Sequence, residues 1–156
     1  MKNSIFIILI IILTLNSCTD SKNINQLDSD DFVTKTERIK ALKTEIKSQS
    51  EFNDAEFELF NVNGFSKSRE SVPGASSLDY RFVIKVKNSD IEKWTEGMTK
   101  IDLPDENINW TKDIIEKRKN EWSTKSLPEF YNREKSNVLL IVYRDAGIIY
   151  KRVINK

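Results

Sequence analysis

The sequence predicts an α+β fold, an antiparallel sheet of about four strands with helices packed on one face. Three observations carry that expectation. In "LDYRFVIKVK", residues 78–87, Leu78, Tyr80, Phe82, Ile84 and Val86 alternate with Asp79, Arg81, Lys85 and Lys87, the period of a half-buried strand. In "TERIKALKTEIKSQ", residues 36–49, Ile39, Leu42 and Ile46 recur at helical spacing. "NVLLIVYRD" and "GIIYKRVI" close the chain as two apolar runs around Asp145, Ala146 and Gly147, a hairpin with a Gly placed for positive φ. With the elements between them, the order is helix, strand, strand, helix, helix, strand, strand, which suits a sheet with helices segregated to one side.

Near its start the chain carries "IFIILIIILTLNSC", residues 5–18, an apolar run that stops at the only cysteine. A bilayer-spanning helix needs about 20 apolar residues, and a run of this length is more often the core of a signal peptide. Lys2 precedes the run and the small or polar Asn16 and Ser17 follow it, the layout of a secretory leader. The last four residues, Leu15-Asn16-Ser17-Cys18, resemble the lipobox of bacterial lipoproteins, with Leu three before the Cys and a small residue immediately before it. The resemblance implies a diacylglyceryl thioether on Cys18, cleavage between Ser17 and Cys18, and acylation of the new amine. Each buried methylene contributes roughly 0.8 kcal/mol, so two or more acyl chains hold a protein stably at a bilayer. With that one Cys acylated, no disulfide is available and packing alone must hold the fold.

The expected organisation is a signal peptide over 1–17, a flexible tether over 18–31 and a single α+β domain over 32–156. The tether, "CTDSKNINQLDSDD", is nearly free of apolar residues, and coil scaling gives it a span of roughly 20 Å. Its acidic cluster Asp28, Asp30 and Asp31 lacks the Gly and terminal Glu of a calcium loop. A surface-sorting signal or helix-start charge is the alternative reading. Lys2 is the only charge before Cys18, so the mature chain carries 24 basic and 24 acidic side chains. That balance argues against a nucleic-acid or anionic-membrane surface, both of which need a basic excess.

Within the domain, Thr34 and Glu37 fit a capping box at the start of the first helix. "EFELFNV", 56–62, reads as a strand, and "SKSRESVPGASS", 66–77, as a loop with Pro73 and Gly74 as its turn signal. After the alternating strand, Ser89 and Glu92 suit the cap of a short helix carrying Ile91, Trp94 and Met98 and ending at Gly97. Another helix is expected over about 110–122, capped by Asn109, with Ile114, Ile115 and Trp122 facing inward. Residues 138–143 are apolar on both faces, which places that strand inside the sheet.

The chain has no His, which removes the commonest general base and metal ligand at neutral pH. With Cys18 consumed by lipid there is no thiolate nucleophile and no Cys or His zinc site, and no cofactor motif is present. The four glycines lie too far apart for a phosphate loop. Asp102, Asp105 and Glu106 in "IDLPDEN" are the candidate carboxylates for acid and base work, against the plainer reading of a solvated turn. Trp94, Trp110 and Trp122, with Phe130 and Tyr131, are the candidate binding aromatics, against core packing at helical spacing.

These readings point to a membrane-anchored bacterial envelope lipoprotein with a non-catalytic binding domain. It would be held at the cell membrane or outer membrane through Cys18, facing the periplasm or exterior. Its expected partner is an envelope protein or a glycan, and no metal, cofactor or nucleic acid is implied. An inhibitor or toxin-immunity lipoprotein presenting loop 66–77, a structural part of an envelope assembly, and a carboxylate-dependent polysaccharide hydrolase are the alternatives.

Overall fold

Alternation is realised on a larger scale than the pattern suggested. In the computed structural model, which describes residues 25–65 and 77–155, the chain builds one antiparallel sheet of seven strands rather than about four. They are β1 (Gln26–Asp28), β2 (Phe52–Asn61), β3 (Leu78–Val86), β4 (Thr99–Ile101), β5 (Glu129–Asn132), β6 (Asn137–Tyr143) and β7 (Ile148–Asn155). Their spatial order is β1-β2-β3-β7-β6-β5-β4. The three strands absent from the sequence reading have three or four residues each, too few to show a period of two. They form because longer neighbours offer them unpaired edges. β1 arises within the stretch expected to be tether, where Leu27 packs on the core, so residues 25–31 belong to the folded domain.

The helices pack on both faces of the sheet, not on one. Successive strand residues point to opposite sides, and here Phe82, Ile84, Leu140, Val142 and Ile149 enter one core while Val83, Leu139, Ile141, Ile148 and Tyr150 enter another. The first core, on the front face, is covered by α1 (Lys35–Glu45) and α2 (Ile91–Thr95) through Leu42, Ile91 and Trp94. The second, on the back face, is covered by Trp110, Ile114 and Trp122. β6 is an interior strand buried on both sides, as its composition requires.

α1 starts on the expected capping box: Thr34 Oγ1 accepts from Glu37 N–H at 3.2 Å, and Glu37 Oε2 accepts from Thr34 N–H at 3.0 Å. The second cap differs. A 3₁₀ turn at Asn88–Asp90 precedes α2, whose N-cap is Asp90 with no side-chain cap bond, so Ser89 and Glu92 do not form a box.

The helix expected over 110–122 is broken. α3 spans only Trp110–Asp113, and a 3₁₀ segment follows at Glu116–Trp122 with a break at Arg118 (φ −130, ψ 25). Asn109 makes no side-chain cap bond. A regular α-helix would set Trp122 about 120° around from Trp110, outside one apolar stripe. Tighter winding and the break return Trp122 to the sheet beside Trp110 and Ile114, and all three are buried. Arg118 holds the break by bonding Glu56 and Asp30.

Candidate functional site

The broken segment covers only half of the back face. Near the Gly147 hairpin that face is apolar and capped by Trp110 and Trp122, whereas towards the opposite end of the strands it turns polar. Strand register lays two rows there: Asp28, Glu58, Arg81, Arg152, Leu139 and Asn132 in one, and Gln26, Phe60, Asp79, Ile154 and Asn137 in the next.

Arg81 and Arg152 stand directly opposite each other, a repulsive pairing in isolation. Asp79 resolves it by accepting from both, from Arg81 Nη2 at 2.7 Å and from Arg152 Nε and Nη2 at 3.0 and 2.8 Å. Arg152 Nη1 also donates to Glu106 Oε2 at 3.3 Å, and Arg81 Nη1 lies 3.7 Å from Glu58. A chain of alternating charge, Glu58, Arg81, Asp79, Arg152, Glu106, therefore crosses the floor. Burial alone would push Asp79 up, but the bonds from Arg152 and Arg81 outweigh it and hold the carboxyl below its ordinary range.

Two cavities open along this floor. One, of about 370 Å³, is lined by Gln26, Asp28, Glu58, Phe60, Asp79 and Arg81. The other, of about 320 Å³, lies between the sheet and the 102–109 loop, with Ile101, Pro104, Leu139 and Ile154 as its apolar lining and Asp105, Glu106, Asn132 and Asn137 among its polar groups. Neighbouring strands lie about 4.8 Å apart, so β2 and β6, on which the cavities centre, are separated by roughly 14 Å.

Asp28 and Glu58 are directly opposite in register. Both carboxyls are pushed up, Glu58 by burial and then by the charge of Asp28. Asp28 is raised by burial, with Asp30 and Asp31 adding repulsion and the Asp30 N–H working against it. This facing pair was not visible in the sequence, because Asp28 sits in a strand too short to recognise. Asp79 and Arg81 were visible as the wet side of β3, although Val83 on the same side is fully buried.

The aromatic candidates from the sequence fall elsewhere. Trp94, Trp110, Trp122 and Tyr131 are all buried, the first and last in the front core and the other two in the back core, so they share no surface. Trp94 Nε1 donates to Ser50 Oγ at 2.8 Å, and Tyr131 donates its hydroxyl to Glu129 at 2.8 Å. That bond, with those from Arg144, holds the Glu129 carboxyl down to about 2. The indole N–H groups of Trp110 and Trp122 are buried without an acceptor.

Of the three candidate carboxylates, Asp102 is exposed and outside both cavities, while Asp105 and Glu106 line the second. Ser17, Cys18 and most of loop 66–77 lie outside the described residues. Among the described residues, no three His, Cys, Asp or Glu side chains are grouped to hold a metal, and no helix is long and apolar enough to cross a membrane. No family model, no curated protein and no solved structure matches this chain.

Proposed function

We propose that the chain is a lipid-anchored lipoprotein of a bacterial envelope whose back face binds a ligand in the groove formed by the two cavities. The groove carries the binding half of this reading: a half-uncovered sheet face with a chain of alternating charges on its floor and cavities at either side. The lipobox residues Leu15 to Cys18 carry the anchoring half. The test is metabolic labelling with a radioactive fatty acid, followed by mass spectrometry of the N-terminal peptide and replacement of Phe60 by a photo-crosslinking residue in cells. Acylated Cys18 and a crosslinked envelope component are expected. An unmodified Cys18 removes the anchor, and a silent crosslinker at Phe60 removes the groove.

The facing pair Asp28 and Glu58 favours a second reading, a hydrolase of envelope polysaccharide. Retaining glycosidases hold two carboxyls about 5 Å apart, and a raised acid next to a second carboxylate is the arrangement such chemistry uses. Release of new reducing ends from envelope glycan, lost in Glu58→Gln, would favour it over simple binding.

A further inference from the structure

We infer that the groove takes a saccharide chain, neutral or amine-bearing, with one sugar ring laid on Phe60 and another hydrogen-bonded by Asn132 and Asn137. The inference rests on reading the groove as the binding site and adds the class of ligand. Each cavity is near the lower bound of small-ligand sites, sized for a compact unit. Two such cavities about 14 Å apart on one floor suit a chain of repeated units better than one globular ligand.

The lining matches the two chemistries of a sugar ring, an apolar C–H face and a rim of hydroxyls that both donate and accept. Phe60 is 37% exposed and sits among polar side chains on the first cavity, the position of a stacking platform. In the second, Leu139 and Ile154 form an apolar floor beside two amides. Among the described residues, the side chains of Gln26, Asn132, Asn137 and Asp105 have no hydrogen-bond partner, so both donors and acceptors remain for a ligand.

Charge and backbone exclude the competitors. Arg81 and Arg152 are spent on Asp79, Glu58 and Glu106, so a phosphate or carboxylate ligand would meet five carboxyls and no uncommitted guanidinium. A peptide that binds by strand addition needs an open strand edge. This groove crosses the strands over backbone already bonded within the sheet.

The full chain, purified in detergent, would be titrated by calorimetry against neutral β-linked glucan oligosaccharides, N-acetylglucosamine oligomers, their de-acetylated forms, an oligogalacturonate and a basic peptide. Saturable binding of a neutral or amine-bearing oligosaccharide is expected, tightening with chain length until both cavities are spanned. Phe60→Ala and Asn137→Ala, both at exposed positions, should each weaken it about tenfold or more. Lys40→Ala on α1, across the sheet, should leave it unchanged. Binding only to the oligogalacturonate or the peptide, binding untouched by both variants, or no saccharide binding at all overturns the inference. With Cys18 acylated and the Phe60 crosslink intact, such a failure strikes the ligand class alone; loss of either strikes the underlying reading.

Discussion

Arg118 Nε lies 2.6 Å from Glu56 Oε1, and its Nη2 reaches both the other oxygen of that carboxylate and Asp30. Glu56 is fully buried, and Arg38 approaches it from the other side at 3.3 Å. Arg38 Nε also donates to the Ala55 carbonyl at 3.0 Å, closing the part of the β2 edge that β1 does not reach. One carboxylate thus joins α1, β2 and the 3₁₀ segment that borders the groove.

Removing that charge should be costly, because Arg38 and Arg118 would lose the buried carboxylate they share and keep only Asp54 and Asp30. Glu56→Gln is expected to destabilise the domain by about 3 kcal/mol, the scale for breaking one side of a buried pair. Urea unfolding would measure the loss, and hydrogen exchange should speed first in residues 110–122. A change under 1 kcal/mol, about the value of a surface ion pair, would show that Glu56 is not holding the segment.

Gly147 and Gly97 both adopt positive φ, at +63° and +69°, but their surroundings differ. A Cβ at Gly97 would meet nothing within 4 Å, whereas one at Gly147 would collide with the Val86 carbonyl oxygen and lie 2.9 Å from Asn88 Oδ1. Gly97→Ala should cost about 1 kcal/mol, the left-handed penalty alone. Gly147→Ala should cost about 3 kcal/mol, as the clash adds to it. Equal losses on thermal unfolding would contradict the crowding at the hairpin.

Glu58 faces Asp28 with its carboxyl raised by burial and by that neighbour's charge. A group raised in the folded state favours folding when protonated, so its contribution is fully present below its unfolded value near 4.5 and is lost as pH rises through the folded one. Glu58→Gln, neutral at every pH, should therefore stabilise the domain at pH 7 by a few tenths of a kcal/mol, discounted for solvent screening. That gain should vanish by about pH 3.5, where the wild-type carboxyls are protonated. A gain that did not change with pH would refute the repulsion.

The long elements were legible because each carries a signal in contiguous residues. β3 alternates along its length, the closing hairpin is two apolar runs around Gly147, and Thr34 with Glu37 marks the start of α1 by chemistry confined to one turn. The groove was only half legible: Asp79 and Arg81 stood out as the wet side of a strand, but their partners Arg152, Glu58 and Glu106 lie far along the chain. The helical spacing of Trp110 and Trp122 pointed to core rather than to an aromatic surface, and both are buried in the back core.

By itself the sequence determined the α+β class, the capped first helix, the alternating strand and the hairpin around Gly147. Each is written in contiguous residues, where local sterics, capping and hydrophobic period act directly. Only the tertiary structure decided that short segments at residues 26–28, 99–101 and 129–132 would extend the sheet to seven strands. It also decided that helices would cover both faces, that the helix at 110–122 would break, and that Asp28 would face Glu58. Those outcomes depend on unpaired strand edges, buried charges and registers between distant residues, whose free energies exist only once the chain has brought the partners together.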